Sequence, residues 1–542
     1  LPAPEGAAIQ KAYVAPRNAL EEALVLIWQE VLGVQTIGVE DNFFELGGHS
    51  LLAMQVVSRV RNRLGFELAL TRLFQEPTIA ALAHELSGSL SKATDWPLVP
   101  QDRPPRIPLS FAQQRLWFLD QLEPNNPFYN IPMAFRVHGV LSDEALKKAL
   151  CHLMRRHEVL RTSFHHDEHG AYQCVHDDLS LTMTQVDCTK KDDKTVRALL
   201  SEEALKPFDL SQAPLWRVCV FTCAHQESVV LLVFHHSIGD GWSIPVVLRE
   251  LSALYAAVVN KTSAPLAPLP IQYADFALWQ RQLLREDGAL YQAQLAYWQE
   301  TLSGAPVLLN LPLDYPRPAF QDYKGAQVEV SLPSGLERAL QAISDTYGVT
   351  PYMVFLAAFV ALLHRYTHQD DVVIGSPIAN RHYQELEGLI GFFVNTVALR
   401  VRLEDNESFA ALLATVKTQV VAAQQHQDLP FERLVESLNI ERSLAHSPLF
   451  QVCFTFNPKE EDNLALMALE VSPEALDYPV AKFDLTLSVE KRNEGWVGVL
   501  EYATSLFKPE TIERLATHYG RLLEGLLKEP EWPVGAHDFL SA

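Results

Sequence analysis

Apolar residues near the start of the chain recur with the period of an α-helix. The first helical stripe comprises Leu20, Leu24, Trp28, Val31 and Leu32. The second comprises Leu51, Val56, Val60 and Leu64, and the third Ile79, Leu82 and Leu86. Gly33 and Gly65 end the first two stripes, and Pro77 begins the third. We therefore predict a small all-α bundle of three or four helices within residues 17–90, large enough to fold alone but only marginally stable.

Beyond residue 108, strand-like and helix-like runs alternate. Predicted strands are Val229–Phe234, Val328–Leu332, Val372–Ile374, Val452–Phe456 and Phe483–Val489. Predicted helices are Val246–Val258, Met353–Tyr366 and Phe409–Gln425. This α/β pattern is too long for one core, so we expect an N-terminal lobe over residues 108–275 and a C-terminal lobe over 276–535. A proline-rich segment, residues 91–107, predicts a linker between the bundle and the lobes.

Composition excludes several classes of protein. The 542 residues include 44 Lys and Arg and 66 Asp and Glu, which gives a formal net charge of −22. This negative charge argues against a nucleic-acid partner. The six cysteines form no CxxC pair, which favours reduced thiols in a cytoplasmic protein. No uninterrupted apolar run predicts a membrane span, and the first residues do not resemble a signal peptide.

A glycine pair precedes a serine in the segment Asp41–Leu51. Gly47 and Gly48 permit a sharp turn, and Ser50 then lies at a predicted helix N-terminus, where free N–H groups favour a phosphodiester. On these grounds alone, a plain N-cap serine is the simpler interpretation. The whole segment, however, resembles peptidyl carrier proteins. The resemblance implies that Ser50 carries covalent 4′-phosphopantetheine, attached by a phosphopantetheinyl transferase.

A second motif, Phe234–Ser243, places two histidines after a predicted buried strand. His235 and His236 are adjacent, so one side chain can face a cavity while the other packs. A neutral imidazole near its pKa can assist the attack of an amine on a thioester. Two structural histidines are the alternative, whereas a metal site is poorly supported because adjacent ligands diverge.

This second motif resembles the HHxxxDG signature of nonribosomal peptide synthetase condensation domains. Six further segments match the family in order: Ser110–Leu119, Arg156–Phe164, Tyr273–Trp279, Ile390–Thr396, His426–Glu432 and, more loosely, Arg442–Phe450. The resemblance implies a two-lobed fold like that of chloramphenicol acetyltransferase. Two departures are Phe234, where methionine is frequent, and Gly239, where serine or valine is usual.

The resemblance also implies roles for individual residues. The catalytic segment contains His236, in a tunnel at the lobe junction, with His235, Asp240 and Gly241 beside it; within it we expect His235 to be structural. The backbone N–H of Gly241 is expected to help hold a developing oxyanion. Asp240 is expected to hold the loop through an arginine, with Arg156 as the first candidate and Arg381 as the second. Asn395 and Ser243 complete the expected structural or tunnel support.

The implied function is peptide-bond formation. Because the carrier precedes the condensation domain, Ser50 is expected to carry the donor, and a downstream carrier would supply the acceptor aminoacyl group. Adjacent adenylation domains of the same synthetase are the other expected partners, since residues 1–16 resemble the tail of one and residues 536–542 begin the linker to another. An epimerisation-type domain or a non-catalytic recruiting module on the same fold are the alternatives.

One more histidine group needs an interpretation. His165, His166 and His169 fall close together and raise the possibility of a metal. Gly170 and the surrounding charges favour a hairpin turn instead.

Overall fold

The first part of the molecule is a small set of packed helices. The computed structural model describes residues 13–48, 50–66, 68–88, 97–404, 406–438, 440, 443–458, 464–467, 469–492 and 495–540. Residues 13–88, here called the N-terminal bundle, contain α1 Ala19–Leu32, α2 Ser50–Leu64, α3 Leu70–Gln75 and α4 Ile79–Gly88. The Asn18 side chain caps α1, and Gly33, at φ 70°, ends it as predicted. Trp28 and Phe43 meet edge to face in a fully buried core.

The N-terminal lobe is built on a mixed sheet with helices. Its elements are β1 Ile107–Pro108, α5 Phe111–Leu122, β2 Asn130–His138, α6 Asp143–Arg156, β3 Thr162–Asp167, β4 Gly170–Val175, β5 Met183–Asp187, α7 Asp193–Ala204, β6 Trp216–Ala224, β7 Glu227–His235, α8 Ser243–Asn260 and α9 Tyr273–Leu283. The predicted buried strand lies within β7, between β2 and β6. Alternate residues of β7 belong to separate apolar clusters on its two faces, which is why its sequence is uninterruptedly apolar.

The C-terminal lobe has its own six-stranded sheet, in the order β10-β9-β11-β13-β14-β8. Its elements are α10 Ala289–Leu302, β8 Gly325–Val330, α11 Leu336–Tyr347, α12 Pro351–Thr367, β9 Asp371–Ile378, α13 Gln384–Glu387, β10 Asn395–Arg402, α14 Phe409–Gln425, α15 Phe431–Ser437, β11 Val452–Asn457, β12 Glu470–Pro473, β13 Leu485–Arg492, β14 Gly495–Ala503 and α16 Pro509–Lys528. The periodicity located α14 to the residue and the other predicted elements to within a few residues.

One strand crosses between the lobes. β12 comes from the C-terminal half of the chain but pairs antiparallel with β2, with Glu470 opposite His138. It thereby covers the outer edge of the N-terminal sheet, which would otherwise expose unpaired backbone groups. A division of the lobes at residue 275 therefore does not hold for residues 470–473, because strand pairing between distant segments decides their place.

Two further expectations concern single elements. The predicted hairpin turn is present: Glu168 and His169 connect β3 to β4, His165 and His166 lie in β3, and Gly170 begins β4 at φ 110°. By length and composition, α8 qualifies as a membrane span, and so does the bent pair α11–α12. Half of the α8 window is buried in the protein, and α12 is buried along most of its length, so both have the packing of core helices.

Candidate active site at the lobe junction

The two histidines lie where β7 ends against the C-terminal lobe. β7 carries His235 as its last residue, and a single 3₁₀ turn, His236–Ile238, follows directly. The strand therefore fixes His235 on the sheet while the turn directs His236 away from it. This is the divergence expected for adjacent side chains.

His235 is a buried, hydrogen-bonded histidine. Its Nδ1 lies 2.7 Å from Ser237 Oγ and accepts the backbone N–H of Ser237 at 3.2 Å. Because Nδ1 accepts a backbone proton, the neutral tautomer carries its hydrogen on Nε2. Burial, and secondarily the charge of Lys482, lower the pKa of His235 to about 3. His235 therefore stays neutral and holds the turn in place.

His236 is less enclosed and less bonded than its neighbour. It is half-buried, and its ring meets Phe392 of the C-terminal lobe edge to face, with centroids 4.6 Å apart. Its Nδ1 is buried and has no well-formed hydrogen bond among the described residues. Burial first, and Lys482 second, place the pKa of His236 well below its usual range. The ring is thus a neutral imidazole that packs against Phe392.

Asp240 joins the two lobes. Its carboxylate is fully buried and accepts hydrogen bonds from the backbone N–H groups of Phe393 (2.9 Å) and Val394 (3.3 Å). Its other oxygen lies 3.1 Å from Arg381 Nη2 and 2.9 Å from Ser243 Oγ. Phe393, Val394 and Arg381 all belong to the C-terminal lobe, so one carboxylate of the motif ties both lobes together.

Arg381 is the partner of Asp240, and the ranking that put Arg156 first is wrong. Arg156 Nε instead donates to Glu250 at 3.0 Å, and His157 Nε2 lies 2.7 Å from the same carboxylate. Arg381 Nη1 donates to the carbonyls of Leu386 and Leu389, which aims the guanidinium across the junction. Arg156 lies near the junction but on another carboxylate, because α6 packs against α8, where Glu250 lies.

Ser243 and Asn395 both have structural contacts. Ser243 Oγ lies 2.9 Å from Arg381 Nη2 and accepts the Gly391 N–H at 3.1 Å, so it extends the Asp240 network. Asn395 donates to the carbonyls of Gln427 and Leu429 at 2.8 Å. It therefore holds the loop before α15 and supports the site indirectly.

A cavity of about 1870 Å³ opens between the lobes and the N-terminal bundle. Gly241, Trp242, Arg156 and Arg381 line it on the side of the motif. Nothing lies within 4 Å of the place where a Cβ of Gly241 would be, so its backbone is open to the cavity. His236 is not among the lining residues; the motif meets the cavity through Gly241 and Trp242, a few residues further along.

The N-terminal bundle closes the other side of the same cavity. Gly47 and Gly48, just before Ser50, line it together with Met54 and Gln55. Only glycine fits at position 48, because a Cβ on Gly48 would clash with the ring and the carbonyl of Phe43. His49 lies outside the described residues, as does the side chain of Ser50. The open turn before α2 and the adjoining cavity fit a long flexible group attached at Ser50.

Charged groups hold the bundle at this place. Arg59 of α2 makes a paired contact with Glu387 at 3.1 and 3.2 Å, and its Nε donates to Glu30 at 3.0 Å. The guanidinium of Arg61 lies 4.5 Å from the centre of the Tyr383 ring, and Ser58 Oγ accepts the Gln384 N–H at 2.9 Å.

Sequence reasoning missed these contact residues and the His157–Glu250 pair. His157 had a signal, since it lies inside the matched segment Arg156–Phe164. Arg59 and Glu387 had none, because they lie 328 residues apart and look like ordinary surface charges.

Comparison with known proteins identifies the two parts of the chain. The model of the condensation domain family matches residues 105–542, and the model of the phosphopantetheine attachment site matches residues 22–86. A linear gramicidin synthase from Brevibacillus parabrevis is 45% identical over all of this chain, and a surfactin synthase from Bacillus subtilis (strain 168) is 39% identical over 98% of it. The chain spans only 7% and 14% of these two relatives.

Solved structures share the fold. The X-domain from teicoplanin biosynthesis has a TM-score of 0.75 at 30% identity, covering 82% of this chain and 100% of its own. The four-domain nonribosomal peptide synthetase AB3403 has a TM-score of 0.74 at 25% identity, covering 84% of this chain and 35% of its own. Together with the two family models, these matches show that the chain belongs to the condensation domain family of nonribosomal peptide synthetases. Within the same chain, a phosphopantetheine-attachment domain precedes the condensation domain.

Proposed function

We propose that this chain forms a peptide bond between a donor acyl group carried on Ser50 and the amine of an acceptor aminoacyl group on a second, downstream carrier. The observation that carries the proposal is the cavity that joins Gly47 and Gly48, beside Ser50, to Gly241 of the histidine motif. The phosphopantetheine arm supplies a thiol that holds the donor acyl group as a thioester. The acceptor then has to enter from another side, because the bundle occupies this one.

The reaction is an aminolysis. The neutral amine attacks the carbonyl carbon of the donor, the C–N bond forms and the C–S bond breaks, and the departing thiolate takes up the proton lost by nitrogen. No further energy source is needed, because the acyl group is already activated. Orienting the two groups contributes up to about 7–11 kcal/mol to lowering the barrier.

We assign His236 to the amine. Its Nδ1 is buried, so Nε2 is the nitrogen placed to accept a hydrogen bond from the attacking amine. With a pKa well below its usual range, the imidazole is neutral at physiological pH but holds a full proton poorly. We therefore propose that His236 orients the amine and passes its proton on. The backbone N–H of Gly241, a residue that lines the cavity, is assigned to the oxyanion that develops on the carbonyl.

His235, Asp240, Arg381 and Ser243 are assigned to positioning. They contact one another or the backbone around the motif, and they fix the turn and the lobe junction. Arg156 and Asn395 are assigned to support within their own lobes, where they hold α6 to α8 and β10 to the loop before α15. Adjacent adenylation domains and a phosphopantetheinyl transferase, in the cytoplasm, are the remaining proposed partners.

The test is a reconstituted transfer. The chain is loaded with coenzyme A and a broad phosphopantetheinyl transferase, an intact mass checks the modification, and Ser50→Ala should abolish the mass gain. A donor is then loaded, an aminoacyl carrier is added, and amide formation is followed by mass spectrometry. His236→Ala should slow transfer by about 10²–10⁴-fold. Transfer by His236→Ala at the wild-type rate would contradict the assignment.

A recruiting module is the second candidate, because one solved neighbour is an X-domain in complex with OxyB. The intact His235, His236 and Asp240 favour catalysis. A modified wild-type chain that makes no amide with any loaded donor would favour recruitment. Inversion of the donor's last residue without an acceptor would favour epimerisation.

A further inference from the structure

The face of the C-terminal sheet turned toward the N-terminal lobe bears polar residues. The opposite face is apolar and covered by helices, as Phe454, Leu487 and Leu500 show. On the open face, Thr455 of β11 and Ser488 of β13 line the cavity. The cavity thus runs over this sheet.

The polar face continues beyond the cavity. Two residues along from Thr455 and Ser488, on the same face, lie Cys453 and Thr486, which are opposite each other in the sheet. Thr486 is in turn opposite Glu501, and Glu501 is opposite Gln327. Because side chains alternate along a strand, these four form one row across the sheet, about 7 Å beyond the lining residues.

Lys482 lies at the end of this row, on the segment that leads into β13. Its backbone N–H and the side chain of Gln327 are directed at the Glu501 carboxylate. The side chain is half-buried, with Nζ 5.4 Å from the centre of the Tyr129 ring. Among the described residues, no ion pair or hydrogen bond engages this ammonium. Within the described part of the chain, this charge thus lies against an aromatic ring and is not paired with a carboxylate.

The same segment contacts the strand beside the histidines. Tyr478 donates its hydroxyl to the carbonyls of Pro127 and Asn130, at 2.8 and 3.1 Å. Asn130 is directly opposite His235 in the β2–β7 pair. The segment carrying Lys482 is thus fastened next to the histidine motif from the C-terminal lobe.

We propose that Lys482 is a positioning residue for the acceptor, whose positive charge keeps both the incoming amine and His236 in their neutral forms. An ammonium group cannot attack a carbonyl, so a cation beside the amine site favours the reactive form. This inference rests on the proposed function. The Glu501 carboxylate partly offsets the positive charge of Lys482, because it lies against the same segment.

The charged and titratable groups around Lys482 come from every packed element. They are Arg115 and Tyr129 of the N-terminal lobe, His235 and His236 of the motif, and Cys453, Glu432 and Glu501 of the C-terminal lobe. Arg115 is paired with Glu432 at 3.0 Å, so its charge is largely balanced. Burial lowers the pKa of Lys482 and raises that of Glu501, which shows how costly the two charges are in this place. Lys482 is therefore the charged side chain whose field lowers the pKa of both His235 and His236.

The pH dependence of transfer tests the assignment. Lys482→Met should move the acid limb of the kcat/KM profile to higher pH by about one unit, since both amine and imidazole become easier to protonate. Lys482→Arg keeps the charge and should keep the wild-type limb. Glu501→Gln removes an opposing charge and should leave the limb in place or lower it. The assignment is overturned if the acid limb of Lys482→Met lies at the wild-type pH, or if the acid limb of Glu501→Gln moves to higher pH.

A binding measurement gives a second readout on the unmodified chain. Glycyl-aminopantetheine and its uncharged propionyl counterpart differ only in the amino group, and their affinities are compared by NMR titration at low pH. The wild-type chain should bind the propionyl compound more tightly than the glycyl compound. The ratio of the two affinities should be about tenfold smaller in Lys482→Met. Equal preference in both proteins overturns the inference. A wild-type chain that makes no amide overturns the proposed function and this inference together, whereas amide formation with identical profiles in all variants overturns the inference alone.

Discussion

Two charged contacts join parts of this molecule, and they are built in opposite ways. Between the lobes, Asp240 is 0% exposed and Arg381 is 6% exposed, and the carboxylate has four hydrogen-bond partners. Between the N-terminal bundle and the C-terminal lobe, Arg59 meets Glu387, whose side chain is 26% exposed and in contact with solvent.

The difference concerns reversibility. A buried charge that loses its partner is left without water, so the lobe junction resists separation. A partly exposed ion pair exchanges protein partners for water at little cost. A carrier that has to meet other domains needs the second kind of contact, and a site that has to keep its geometry needs the first. The predictions below separate these two contacts.

The largest effect is expected from breaking the lobe junction. Asp240→Ala leaves the buried Arg381 guanidinium without its carboxylate partner and the backbone N–H groups of Phe393 and Val394 without an acceptor, and should lower the free energy of unfolding by about 3–5 kcal/mol. Urea unfolding followed by tryptophan fluorescence measures it. Glu144→Ala, at an exposed pair with Lys148, is the matched control and should cost under about 1 kcal/mol. A loss below about 1 kcal/mol in Asp240→Ala would contradict a locked junction.

Acid should weaken the lobe junction next, at His157, whose Nδ1 accepts the backbone N–H of Ile390 from the C-terminal lobe. Burial lowers the pKa of His157, so the folded chain keeps it neutral while the unfolded chain takes up a proton below about pH 6.5. Stability is therefore present above that pH and falls as the pH drops. Between about pH 7.5 and about pH 5.5, His157 should account for at most about 1.4 kcal/mol of the loss. His157→Gln should reduce the pH dependence of the urea midpoint by that amount; an unchanged dependence would show that His157 is protonated in the fold.

Reversing one charge should release the N-terminal bundle without unfolding it. Glu387→Arg faces Arg59 with a like charge and should reduce the docked fraction, at a coupling of about 1 kcal/mol. Energy transfer between dyes on the bundle and the C-terminal lobe measures docking. The double variant Arg59→Glu/Glu387→Arg should restore part of it, although Arg59 also loses Glu30. Glu144→Arg serves as a control that leaves docking intact. If the double variant docks no better than either single variant, the pair does not direct docking.

The smallest effect is expected from salt. Raising NaCl from about 50 mM to about 500 mM shortens the Debye length from roughly 14 Å to roughly 4 Å, which weakens the exposed Arg59–Glu387 pair and leaves the buried Asp240–Arg381 pair unaffected. The dye signal should fall while the urea midpoint stays nearly constant apart from general salt effects. Docking that persists in high salt would point to uncharged contacts, such as the hydrogen bond that the Gln427 amide donates to Met54 Sδ.

Local pattern carried much of the fold. The stripe of α1 and its end at Gly33 were predictable because helical periodicity and a left-handed glycine are properties of adjacent residues. The uninterrupted apolar run of β7 likewise predicted a strand covered on both faces. The histidine motif could be located for the same reason, since its residues lie within ten positions of one another.

Tertiary structure alone decided how these parts meet. Asp240 and Arg381 lie 141 residues apart, and only the packing of the lobes selects Arg381 over Arg156. Lys482 belongs to no motif, and its place beside the histidines follows from the segment fastened to Asn130. Sequence periodicity predicts which face of an element is apolar, but it does not predict which distant element will cover that face. The local sequence thus determined the secondary-structure elements, the position of Ser50 and the histidine motif. The free energy of packing distant segments together determined how the elements pair, where the cavity lies and where the bundle docks.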